Sequence, residues 1–255
     1  MSIPGNELAN VSDNRIGIPV LTATFPVGSS GVYPFNEVII RPLNFAGFIQ
    51  YIRNYPQASD QYTTFLYTYN VVRNYVTHLD MLFLPDIYYV FFLFWGISVN
   101  KNMEFTITHA CDSCGHKNSL SITSADISFK SFDSPIFEVS ISGNTYQCKF
   151  PTGEKIRTHL PRLMASGKNY DLDVAFLILS FIEFERRGAE IENLVANASH
   201  DDIVNLLTVL ADYIHPPANE YVYACSKCKS RNYVNYYNHL ATDFFRVFME
   251  NRGSA

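Results

Sequence analysis

Three observations predict an α+β fold, with helical segments around β-hairpins and a split zinc-ribbon-like element formed by two distant Cys-x-x-Cys knuckles. Apolar residues recur at helical spacing through several segments, and alternation with period two takes over near residues 105–150. Two pairs, Cys111/Cys114 and Cys225/Cys228, each follow a strand-like run.

The chain of 255 residues is 47% hydrophobic and 17% charged, so it holds enough apolar surface for a core. Aromatic residues make up 15% and favour burial in a core or at a partner interface. A net charge of -5 supplies no basic field, which disfavours nucleic acid as a partner. Residues 1–20 lack a basic segment followed by an apolar one, so no secretory signal is expected and the compartment is read as reducing. In that setting paired cysteines read as metal ligands more readily than as disulfides. Leu82 to Val99 is the most apolar stretch, but Pro85 and Asp86 leave an unbroken run only from Ile87 to Val99. That run is short for a membrane span and suits a buried helix.

Residues 1–30, rich in Gly, Ser, Asn and Pro, read as an extended N-terminal arm that orders against a partner. Tyr33 to Leu43 reads as a strand ending near Pro42, followed by helices at Asn44–Arg53 and Asp60–His78. Phe45, Phe48, Ile49 and Ile52 mark the apolar face of the first helix. Leu84–Ser98, with Pro85 in a first-turn position and apolar residues all round, predicts a central buried helix. Phe105, Ile107 and His109 then lead into the first cysteine pair, and Leu120 and Ile122 lead out of it, so the knuckle tips a hairpin. A second hairpin joins Phe137–Ile141 to Tyr146–Phe150 through Ser142-Gly143-Asn144. Tyr170–Arg187 reads as a helix stopped by Gly188, and Ser199–Ile214 as one capped by Ser199 and closed by Pro216-Pro217. Tyr221–Ala224 is a short strand into the second pair, and Leu240–Met249 an aromatic amphipathic helix. The domain reading is an arm at 1–30, an α+β region at 31–104, the first knuckle and hairpins at 105–151, a helical insertion at 152–220, and the second knuckle with a C-terminal helix at 221–255.

The knuckles agree beyond their cysteines. Ala110 to Asn118 and Ala224 to Asn232 share the pattern A-C-x-x-C-x-x-[K/R]-N. Two similar half-sites point to one composite centre, because zinc takes four thiolates in a tetrahedron and each Cys-x-x-Cys turn offers two. Such a closed shell of Cys111, Cys114, Cys225 and Cys228 leaves no open position for water and is structural. The 110 residues between the pairs far exceed usual ribbon spacing, so two further readings stand: two sites completed by His109, His116, His215 or His239, and no metal. Cys148, alone on a strand, reads as a buried apolar residue. A thioredoxin-like redox role is disfavoured because neither pair sits between a strand and a long helix. Asp171/Asp173, Glu183/Glu185 and Asp201/Asp202 read as helix faces or first-turn charges, and Phe244, Phe245 and Phe248 as packing. No catalytic residue is expected. A metal hydrolase would need a three-ligand site with a base nearby, and neither His-x-x-x-His nor His-x-Glu is present.

The order of parts resembles the baseplate hub proteins of contractile-tailed, T-even-type bacteriophages. The resemblance rests on Ile39 to Leu43 (I-I-R-P-L), Leu84 to Tyr89 (L-P-D-I-Y-Y), Gly96 to Val99, the two distant knuckles, and Ala241 to Phe245 (A-T-D-F-F). It implies a non-enzymatic late protein, present in several copies, that enters or helps to assemble the hub of the virion tail baseplate in the host cytoplasm. Its partners would be other phage tail baseplate proteins, with one structural Zn2+ per chain. The alternative from the residues is a zinc-ribbon adaptor of transcription or translation. The excess of 24 acidic over 19 basic side chains speaks against it.

Overall fold

The computed structural model describes residues 21–24, 29–54, 56, 61–99, 104–123, 131–166, 170–214 and 220–235. Among them, helices combine with four two-stranded antiparallel hairpins, as an α+β class requires. Strands β1 (Leu21–Thr24) and β2 (Glu37–Ile40) pair with Leu21 opposite Ile40. Helices α1 (Phe45–Asn54), α2 (Gln61–Val72) and α3 (Leu84–Val99) follow. Hairpin β3 (Glu104–Ala110) with β4 (Lys117–Thr123) carries the first knuckle, and β5 (Ile136–Ile141) with β6 (Asn144–Lys149) follows. Helices α4 (Gly153–Ala165), α5 (Leu172–Ser180), α6 (Phe184–Ala196) and α7 (His200–Ile214) precede β7 (Glu220–Ala224) and β8 (Arg231–Asn235), which flank the second knuckle.

Helix α3 lies in the core because apolar residues surround it on every side. Leu84, Ile87, Val90 and Phe94 are fully buried. Phe65 of α2 joins Phe91 of α3 and Phe176 of α5 at ring separations of 5.8 and 5.1 Å, so aromatic contacts tie three helices together. The start of α3 is sewn to the start of α4: Leu84 N–H donates to Pro151 O and Gly153 N–H to Leu82 O, both at 2.9 Å. Among the described residues no helix is long and apolar enough to cross a membrane.

Among the described residues, Asp86 is the charged one buried in this core. Only 2% exposed, it accepts a 2.7 Å hydrogen bond from the Tyr33 hydroxyl, which itself accepts from Phe83 N–H at 2.9 Å. Burial pushes its carboxyl up to about 6, and the Tyr33 bond opposes the shift only in part. The folded state therefore holds a proton between pH 4 and 6 that the unfolded chain gives up near pH 3.8. This group's contribution to stability is full below the unfolded value and is lost as pH rises through about 6. Asp86→Asn is expected to be more stable than the native chain at pH 8, by about 1–3 kcal/mol, and to differ little at pH 4. Urea unfolding at both pH values checks this; an equal difference at pH 4 and pH 8 would reject it.

Several sequence expectations change. Leu21–Thr24, read as part of the arm, pairs with β2, and the strand read from Tyr33 to Leu43 contracts to Glu37–Ile40. The helix read to His78 ends at Val72, because Val76 leaves it to bridge Ile40, and His78 takes a left-handed φ of 59°. The helix read as Tyr170–Arg187 is two helices, broken at Phe181. There Phe181 turns extended to bridge Cys148 of β6, while its carbonyl accepts from Lys155 Nζ at 3.2 Å. Gly188 is not a stop. It lies inside α6, one residue after the non-helical backbone of Arg187. Helix α4, capped by the Thr152 hydroxyl on Lys155 N–H, lies in a stretch read as helical insertion without a helix of its own. The Ser199 cap on α7 is present, accepting from Asp202 N–H at 3.1 Å. The helix read at Leu240–Met249 and the arm at 1–20 lie outside the described residues.

Candidate metal centre

Each knuckle is a tight turn between two strands whose register fixes where the thiols point. In the first, β3 and β4 pair from Glu104↔Thr123 to Ala110↔Lys117. In the second, β7 and β8 pair from Glu220↔Asn235 to Ala224↔Arg231. Beyond Ala110 and Ala224 the chains turn in the same way. Gly115 N–H donates to Cys111 O at 2.8 Å and Cys111 N–H to His116 O at 2.9 Å. Lys229 N–H donates to Cys225 O at 3.0 Å and Cys225 N–H to Ser230 O at 2.9 Å. Both turns need a left-handed residue at the fourth position after the first cysteine. Gly115 supplies it at φ 67°, where glycine carries no steric penalty, and Lys229 at φ 63°.

All five cysteines are free, and the Sγ atoms of Cys111, Cys114, Cys225 and Cys228 lie within 4.8 Å of one another. Cys111 Sγ is 3.6 Å from Cys228 Sγ, and Cys114 Sγ is 3.8 Å from Cys225 Sγ. Both separations cross from one knuckle to the other. Four thiolates bound to one zinc at about 2.3 Å stand about 3.8 Å apart in a tetrahedron, whereas a disulfide would need about 2.05 Å. The donor set and its spacing fit one zinc. Among the described residues no histidine, aspartate or glutamate joins the cluster.

The histidines considered as ligands have other places. His109 Nδ1 is 2.7 Å from the Tyr223 hydroxyl, and the rings meet edge to face. His116 is exposed, with its carbonyl closing the first turn. His215 and His239 lie outside the described residues.

The thiols are unequal without a cation. N–H groups of Cys228 and Lys227, with the Asn118 amide, pull the Cys225 thiol down to about 6. The hydroxyl and N–H of Ser230 lower Cys228. The His116 N–H favours the Cys114 thiolate, but desolvation and the surrounding sulfurs of Cys228, Cys111 and Cys225 push that thiol up to about 11. Crowded sulfurs resist carrying charge together, and a divalent cation relieves that repulsion by taking four thiolates at once.

Asn118 and Asn232, the last residues of the repeated motif, belong to the site although their residue type gives no sign of a ligand. Both are buried, at 5% and 0% exposure, and they exchange bonds between the knuckles. Asn118 Oδ1 accepts from Ser226 N–H at 2.9 Å, and Asn232 Oδ1 accepts from Asp112 N–H at 3.0 Å. Their shared place at the end of the repeated motif was the available signal.

Cys148 is fully buried, apart from the cluster, and burial pushes its thiol up to about 12. Cys148→Ser is expected to leave the metal content of the protein unchanged, as elemental analysis would read. Loss of metal in this variant would show a role for Cys148 that the geometry does not provide. Three of the paired carboxylates have structural partners. Asp171 caps α5 by accepting from Val174 N–H at 2.8 Å, Glu183 pairs with Arg186 and Arg187, and Asp202 accepts from Ser142 N–H at 3.2 Å.

No curated protein and no solved structure matches the chain. The family model for the T4 bacteriophage base plate protein matches residues 60–248. That span takes in α2 and α3, both knuckles and the helices between them, and the chain belongs to the T4 bacteriophage base plate protein family.

Proposed function

We propose that this chain is a non-enzymatic component or assembly factor of the baseplate hub, acting through protein–protein contacts and braced by one structural zinc held by Cys111, Cys114, Cys225 and Cys228. The carrying observation for the metal is the convergence of four sulfurs from two distant knuckles within 4.8 Å. When bound, zinc would supply charge neutralisation and a crosslink, with all four positions filled by protein. Family membership makes the chain a phage baseplate protein, whose partners are other phage tail proteins. The hub position, presence in several copies, retention in the virion tail and assembly in the host cytoplasm extend that statement. They rest on the resemblance of the residues set out above and on an aromatic content of 15%, suited to partner contacts.

Co-expression of the full chain with tail and baseplate proteins tests the reading. Native mass measurement on the isolated complexes should find the chain bound to baseplate proteins with one zinc per copy. Monomer-only behaviour beside purified hub components would refute the hub role. Two zinc ions per chain, or none, would refute the shared centre.

A further inference from the structure

We infer that Asn118 and Asn232 are the positioning residues that make two half-sites one metal centre. The inference rests on the zinc reading above and concerns why the knuckles act together.

Each asparagine sits seven residues after the first cysteine of its own knuckle. Its amide works in two directions. Asn118 Nδ2 donates to His116 O at 2.9 Å and Asn232 Nδ2 to Ser230 O at 2.7 Å, so each holds the turn of its own knuckle. Each Oδ1 then reaches the residue after the first cysteine of the other knuckle, Ser226 or Asp112. Four bonds thus join equivalent positions of the two knuckles, and so does the contact between His109 and Tyr223, each two residues before its first cysteine.

The residues at these places have the chemistry that the exchange demands. A carboxamide donates and accepts from one short side chain, whereas a carboxylate only accepts and an aliphatic group does neither. Both amides are buried, and an alanine at either place would take from the backbone N–H at 112 or 226 the partner it has here. Asn118 goes further. Its Nδ2 lies 3.6 Å from Cys225 Sγ, and its Oδ1 also accepts from the Ser226 hydroxyl at 2.9 Å. The asparagines set the approach of one thiol pair to the other, and outer partners of metal ligands act in this way on metal retention.

The test uses the full chain loaded with zinc and a chromogenic chelator that reports zinc transfer. Asn118→Ala and Asn232→Ala should each release zinc at least about tenfold faster than the native chain. Asp112→Ala, which keeps the N–H that Asn232 uses, should release at the native rate. Asp112→Pro removes that N–H, and also fixes φ, at a turn position where proline is accepted, and should release faster as well. Cobalt in place of zinc gives a second readout, because altered thiolate geometry changes its visible spectrum while a distant structural defect does not. Native release rates and native cobalt spectra in both alanine variants would overturn the inference. Should those variants fail to fold, Asp112→Pro decides, and a native rate there overturns it equally. A native chain that holds no zinc at all is a separate result, which removes the zinc reading itself.

Discussion

Cys111→Ser and Cys228→Ser are each expected to lose most of the bound zinc and to lower the melting temperature by on the order of 10 °C. Cys111 lies at the end of β3 and Cys228 before β8, and their sulfurs stand 3.6 Å apart although 116 residues lie between them in the chain. A zinc bound there joins the two hairpins and closes everything between them into one loop. The entropy of closing a loop grows only logarithmically with its length, so great separation does not prevent a net gain. Zinc-finger peptides gain on the order of 10 kcal/mol from their metal at neutral pH, more than loop closure consumes. Loss of one ligand therefore weakens the link between hairpins, not one hairpin alone. The double variant should melt close to either single one, since both substitutions act on one site. Elemental analysis and thermal unfolding of the three variants read the outcome. Full zinc retention at the second knuckle of Cys111→Ser would show two independent sites.

The second large effect is expected at Gly153→Ala, which should destabilise the chain by about 3 kcal/mol. Gly153 opens α4 where that helix meets the turn before α3. A Cβ there would run into the Tyr69 hydroxyl and lie 2.5 Å from Leu79 O, which is backbone. Neither neighbour can withdraw easily. Tyr69 is fully buried and its hydroxyl donates to Asp80 at 2.7 Å, while Leu79 lies in a short helical turn. The added methyl must displace α4 from Leu82, whose carbonyl accepts the Gly153 N–H. Gly31, with nothing within 4 Å of its added Cβ, provides the contrast: Gly31→Ala should change stability by less than about 0.5 kcal/mol. Equal denaturation midpoints for the two variants would refute the packing argument.

Local pattern reported well wherever neighbours in sequence decide conformation. Helix α3 is legible because its composition suits a buried helix, and the hairpin β5–β6 because Ser142-Gly143 forms its turn, while Asn144, expected in the turn, already pairs with Ile141. The return strand β8 carries no clear signal, since Arg231–Asn235 is short and largely polar. Pro161 inside α4 concealed a helix whose apolar face, Ile156, Leu160 and Leu163, has the proper spacing. The break between α5 and α6 had no local signal. Phe181 leaves the helix because β6 and Lys155 offer its backbone partners, and these lie more than 20 residues away in the chain.

By itself the amino-acid sequence determined the class of the fold, the two equivalent knuckles and the four cysteines that they carry. Each follows from short-range pattern or from the coordination chemistry of cysteine. Tertiary structure alone decided that the knuckles face each other, that His109 meets Tyr223 instead of joining the sulfurs, and that Asn118 and Asn232 bond across the gap. These contacts join segments more than 100 residues apart, where no periodicity reaches. The two knuckle hairpins meet directly, through their sulfurs, their asparagines and the His109–Tyr223 contact.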